Sequence, residues 1–175
     1  MGADATPTRP RTASRVAAVQ ALFQGEQAQD NLESVIDQFV RHRLGAPPGN
    51  GGAQRAYEGA YEEGRIPDAQ VPLFARIVRT ATAQQDAIDL RLAHALPPDW
   101  PLPRLDPVLR ALLRAGAAEL LMLNGPPAKV VINEYIDVAH GFFTGEEPRM
   151  ANGVLNRIAR ELRAPEFPAE PAGAG

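Results

Sequence analysis

Apolar residues recur at every third or fourth position through most of the chain, and this spacing limits the fold more than any other feature. Leu32, Val35, Ile36, Phe39, Val40 and Leu44 follow it strictly. Steps of three and four return to one face of a helix, whereas a strand requires steps of two. The same spacing runs through Val16, Val19, Leu22 and Phe23, then Phe74, Ile77, Val78, Ala81, Ile88 and Leu92. It continues in Leu109, Leu112, Leu113, Leu120 and Leu121, in Val130, Val131, Ile132, Ile136 and Ala139, and in Val154, Leu155, Ile158 and Leu162. No segment sustains strand alternation. The chain is predicted to be all-α, a helical bundle of about seven helices in two small subdomains joined by short connections.

Punctuation divides the pattern. A first helix begins near Thr12 or Ser14, after a basic flexible arm over residues 1–11, and Asp30 with Glu33 has the spacing of a capping pair for the second helix. Residues 45–52, GAPPGNGG, cannot be helical, because Pro removes backbone donors and Gly costs backbone entropy. Residues 45–70 are read as an insertion. LPPDWPLP at 96–103 is the expected boundary between an N-terminal subdomain, 12–96, and a C-terminal one, 104–163. Asp106-Pro107 is a strong helix start, with Asp as N-cap and Pro at the first helical position. Asn124-Gly125-Pro126-Pro127 separates two further helices, and Thr144 to Glu147 has capping-box spacing before the last. Residues 164–175, rich in Pro, Ala and Gly, read as a disordered tail.

The chemistry available is narrow. Cysteine is absent, which removes disulfides, thiolate zinc sites and thiol nucleophiles. His42, His94 and His140 fall on different predicted helices and read as surface or helix-end residues. Glu146 and Glu147 are adjacent, so they do not face each other across a helix and do not suit paired acid–base work. No phosphate-cradling glycine loop or nucleophile elbow occurs. An enzyme is not expected, nor a metal or other cofactor. The apolar runs are too short to span a bilayer, which takes about 18 residues, and no secretory signal precedes Val16; a cytoplasmic protein with no membrane partner is expected.

The net charge of −3 argues against a wholly basic surface. Residues 1–24 nevertheless hold Arg9, Arg11 and Arg15 against Asp4 alone. A local basic patch can bind phosphate on an acidic protein, because screening confines each charge to roughly 10 Å. Guanidinium forks grip phosphate and stack on exposed bases, a combination suited to single-stranded RNA.

Two segments resemble one family. RVAAVQALFQGEQAQ at 15–29 and VVINEYIDVAHGFFTGEEPRMANGVLNRIARELR at 130–163 are similar to the opening helix and closing helix pair of the NusB family, and LDPVLRALLRAGAAELLML at 105–123 resembles its central helix. The resemblance covers most of the chain apart from residues 45–70 and the tail. It implies a transcription antitermination factor that binds the boxA element of ribosomal-RNA leaders, pairs with the ribosomal protein called NusE and joins an antitermination assembly on RNA polymerase. It also allows a homodimer, since some members self-associate and mask the RNA surface. The implied RNA contacts are Arg9, Arg11, Arg15, Gln20, Phe23, Glu146 and Arg149, and Glu119 is the implied contact for the protein partner. Phe23 reads more readily as a core residue than as a stacking platform. Asn133 and Asn152 read as hydrogen-bonding within the bundle, and Gly116 and Gly153 as sites of close helix packing. Met150 stands where the family usually has an aromatic residue. Two other readings keep the same fold: a bundle that binds only protein, and a detached accessory domain of a ribosomal-RNA-modifying system.

Overall fold

The structure is a computed structural model that describes residues 10–44 and 69–169. Arg9, most of the expected arm and nearly all of the expected insertion lie outside the described residues. Seven α-helices are present among the described residues: α1 (Pro10–Ala28), α2 (Leu32–His42), α3 (Val71–Ala83), α4 (Gln85–Ala95), α5 (Pro107–Leu121), α6 (Ala128–Phe142) and α7 (Glu147–Leu162). Single 3-10 turns occur at Leu102–Arg104 and Ala164–Glu166. The chain divides into two compact units, Met1–Thr82 and Ala83–Gly175.

That division corrects the expected boundary at 96–103. Helix α4 packs on α5 and α7, so it belongs to the second unit. A bidentate pair fixes it there: Arg114 donates from Nε to Asp89 Oδ1 at 2.8 Å and from Nη2 to Oδ2 at 2.9 Å. The proline-rich stretch is therefore an internal connector. Arg110 staples it, donating from Nη1 to the carbonyls of Leu102 at 3.3 Å and Leu105 at 3.2 Å.

In the first unit α1 packs on α2. The rings of Phe39 on α2 and Phe74 on α3 stack with centroids 5.6 Å apart, a geometry worth about 0.5–1.5 kcal/mol beyond the area it buries. Ser14 ties α1 to the start of α3. Its hydroxyl donates to the Gln70 carbonyl and accepts from the Gln70 N–H. The N-cap of α2 is Asn31, one residue beyond the expected Asp30, and its side chain accepts from Glu33 N at 2.9 Å. Glu33 has another task, a two-pronged ion pair with Arg79 at 3.0 and 2.9 Å.

In the second unit α5 is the central helix, buried on nearly every side from Leu109 to Leu120. Asp106 caps it as expected, accepting from Val108 N at 2.8 Å and Leu109 N at 3.3 Å. Gly116 allows α7 to approach: a Cβ there would lie 3.0 Å from Leu155 Cδ2. Gly153 differs from the expectation, since a Cβ on it would meet nothing within 4 Å. The helix ends are closed by residues from the expected tail, which is ordered over 164–169. Glu166 Oε2 accepts from Ala128 N at 2.7 Å and so caps α6, whose own N-cap, Pro127, has no side-chain acceptor. Phe167 lies under the Arg160 guanidinium, 5.0 Å from its centroid.

Candidate nucleic-acid interface

Helix α1 starts at Pro10, earlier than expected, so Arg11 is already helical. Arg11 is exposed and enters no ion pair among the described residues. Gln20 and Phe23 are half-buried. Arg15 is a correction: it is 1% exposed and engaged within the protein. The helical geometry explains this. Arg15 precedes Ala18 by three residues and Val19 by four, which places it on their buried face rather than opposite it. The alanines of α1 carry that face; Ala13, Ala17, Ala18 and Ala21 are all buried, while Val16, Leu22 and Phe23 are only half-buried.

The second unit carries a groove of about 390 Å³ along one face of α7. Glu146, Arg149, Met150, Gly153 and Arg157 recur there at helical spacing, and Pro97 and Trp100 from the connector supply the other wall. Arg149 is exposed and enters no ion pair among the described residues. Arg157 donates from Nη1 to the Ala95 carbonyl at 3.2 Å, which leaves the remainder of its fork uncommitted. Glu146 is the N-cap residue of α7 but makes no capping bond with its side chain. The capping box expected from Thr144 to Glu147 does not form. Instead Glu147 Oε2 is buried without a protein partner among the described residues, lying 2.7 Å from where a Cβ on Gly145 would be.

Glu119, expected at a partner surface, is 0% exposed and engaged within the protein. Its carbonyl accepts from Arg163, a side chain at the end of α7 that caps the end of α5. Asn152 bonds within its own helix, accepting from Asn156 Nδ2 at its carbonyl and side chain, while Asn133 is exposed. His42, His94 and His140 stand on α2, α4 and α6, and all three are exposed.

Trp100 and Arg157 were not singled out from the sequence. Arg157 was accessible to it, being seven and eight residues from Met150 and Arg149. Trp100 was not, because only tertiary packing brings the connector beside α7.

Comparison with known proteins agrees with this architecture. The sequence model of the NusB family matches residues 12–160. The Transcription antitermination protein NusB of Granulibacter bethesdensis is 70% identical over 163 residues, covering 93% of this chain and 95% of that protein. Among solved structures, NusB of T. maritima aligns with a TM-score of 0.64 and 28% identity, over 91% of this chain and 98% of that one. A crystal structure of antitermination factors NusB and NusE in complex with double-stranded RNA aligns at 0.59 and 23% identity, over 86% of this chain and 96% of its counterpart, and shares the fold. The chain belongs to the NusB family.

Proposed function

We propose that the chain is a cytoplasmic, RNA-binding transcription antitermination factor that binds a boxA-type ribosomal-RNA leader sequence together with the ribosomal protein NusE and acts on elongating RNA polymerase. The groove on α7 carries this reading. Uncommitted guanidinium groups beside an indole and an open helix face suit a single strand, whose phosphates seek charge and whose bases seek a flat apolar surface. Helix α1 adds Arg11, with Arg9 just before it. The antitermination role is supported by the relative of 70% identity, and the partner by the solved assembly of this fold with NusE and RNA. No described helix is long and apolar enough to cross a membrane. The role is one of binding, and no residue is assigned to catalysis.

Burial of Arg15 and Glu119 narrows the contact set, since a side chain packed inside the protein reaches phosphate or a partner only if the fold opens. RNA contact is assigned to Arg9, Arg11, Gln20 and Phe23 on the first unit and to Glu146 and Arg149 on the second. With so few arginines the arm is weak by itself, and strong binding depends on NusE. The test is a salt series. Each phosphate contact on a single strand contributes about 0.7 to the slope of log affinity against log salt. Arg11→Ala and Arg149→Ala are each expected to lower the slope by roughly that amount. An unchanged slope in both variants contradicts the assignment.

A further inference from the structure

We infer that Trp100 is the platform on which one unstacked RNA base seats, with the phosphates beside that base held by Arg149 and Arg157. The inference rests on the RNA reading above and assigns a role to Trp100 and Arg157, which are not among the contacts implied by the family resemblance.

The groove wall carried by α7 has no aromatic surface. Met150 offers only a flexible thioether, which packs on a base edge but has no π-face. The sole aromatic ring lining the groove is Trp100, on the opposite wall. Indole is the side chain best suited to stacking on a base, because its face is broad and few of its torsions need to be fixed.

Trp100 is held in place before any ligand arrives. Its backbone N–H donates to the Pro97 carbonyl at 2.9 Å, and Pro97, Pro98 and Pro101 restrict the backbone on both sides. The first of the two 3-10 turns follows at Leu102–Arg104, pinned by Arg110. A side chain on so constrained a segment loses little entropy on binding. It is half-buried, so part of its surface remains open to solvent.

Space and charge agree. The groove volume, about 390 Å³, falls in the range of about 300–1,000 Å³ typical of ligand clefts. Gly153 lines it, and nothing stands within 4 Å of where its Cβ would be. A glycine in mid-helix costs about 1 kcal/mol relative to alanine, and no close packing here requires it, so open space over α7 is its one visible consequence. Arg149 and the free part of Arg157 flank that space with positive charge. Glu146, at the first turn of the same face, repels phosphate and leaves that end to a base edge.

Trp100 is the only tryptophan in the chain, so its fluorescence reports on this groove alone. The full chain is titrated with a boxA-type single-stranded RNA oligonucleotide carrying a fluorophore, in the presence of NusE, and RNA anisotropy is followed. A second titration uses unlabelled RNA, a tryptophan-free NusE preparation and tryptophan emission. The expected result is quenching that saturates at the RNA concentration where anisotropy saturates. Trp100→Ala is expected to weaken binding about 5- to 150-fold, the range for loss of one stacked base, while Trp100→Phe keeps most of the affinity. Gly153→Leu, at a position where a Cβ meets nothing within 4 Å, is expected to put bulk into the groove, to leave the thermal midpoint no lower than that of the wild type, and to weaken binding to a similar degree. Binding seen by anisotropy with no change in Trp100 emission, and with Gly153→Leu binding as wild type, overturns the platform and leaves the RNA reading intact. No binding by the wild type with NusE at low salt overturns the RNA reading, and the platform falls with it.

Discussion

Replacing Arg163 by alanine is expected to destabilise the second unit more than any other single change outside the apolar core. Its guanidinium is almost wholly enclosed and donates to four carbonyls at the end of α5 and in the following turn. Nε reaches Leu120 at 2.9 Å, Nη1 reaches Pro126 at 2.6 Å, and Nη2 reaches Glu119 at 3.2 Å and Met122 at 2.7 Å. A helix leaves its last carbonyls without intrahelical partners. Here one side chain from the end of α7 satisfies two of them, those of Glu119 and Leu120, and Glu166, 3.5 Å from Arg163 Nη1, caps α6 in turn. A hydrogen bond to a charged group contributes about 1.5–3 kcal/mol in isolation, but bonds sharing one donor are not additive. Leu123 and Asn124 beside them are exposed, so water can reach part of what alanine leaves behind. The net loss is expected to be about 3–4 kcal/mol, which in a chain of this size corresponds to a fall of roughly 6–16 °C in Tm. Arg163→Lys is expected to recover less than half, because an ammonium cannot span the same set of acceptors. Urea unfolding followed by Trp100 fluorescence reads the correct unit, since Trp100 lies within Ala83–Gly175. A loss below about 1 kcal/mol in Arg163→Ala would show that the carbonyls are satisfied by water at no cost, and would refute the capping argument.

Two helical glycines are expected to respond in opposite directions: Gly116→Ala lowers stability by about 1 kcal/mol, because its Cβ meets buried Leu155, whereas Gly153→Ala raises it by about 0.5–1 kcal/mol through helix propensity alone. Equal shifts of one sign in urea unfolding would contradict the packing assigned to α5 and α7. Asp106→Ala removes the acceptor for two first-turn N–H groups of α5 and is expected to cost about 1 kcal/mol, with Asp106→Asn recovering most of it. The hydrogen bonds from Arg79 hold the Glu33 carboxyl below its ordinary value of 4.5. The contribution of this pair is therefore fully present above that value and is lost as pH falls through the lowered folded-state value. An NMR titration of Glu33 is expected to show the midpoint rise in Arg79→Ala, and an unmoved midpoint would contradict the pairing.

The sequence was most informative where one residue decides local geometry by itself. Asp106-Pro107 starts α5 because the carboxylate accepts the first free N–H groups and proline needs none. The six-residue run from Leu32 to Leu44 placed α2 because its apolar steps are unambiguous. It was least informative where small residues carry the packing. The buried face of α1 is mostly alanine, which apolar periodicity weighs too lightly, and Arg15 shares that face. Prolines at 97, 98, 101 and 103 looked like a boundary between subdomains, but a rigid connector and a linker share that composition, and only the packing of α4 on α5 and α7 separates them. The ordered turn after α7 was hidden for a similar reason. Glu166 acts through Ala128 and Arg163, and Phe167 through Arg160, contacts that only the folded turn brings together. The groove was half legible: Glu146 and Arg149 came from family resemblance, whereas Trp100 reaches α7 only in the folded chain.

Whether this NusB-family chain is an RNA-binding adaptor strengthened by a protein partner can be measured by titrating boxA-type RNA with the chain alone and with the chain plus NusE at one fixed salt concentration. The expected result is weak binding by the chain alone, clearly tighter binding in the presence of NusE, and loss of most of that affinity in an Arg9/Arg11/Arg149→Ala variant that remains folded. Absence of binding by the wild-type chain with NusE at low salt, or equal binding by wild type and variant, would contradict it.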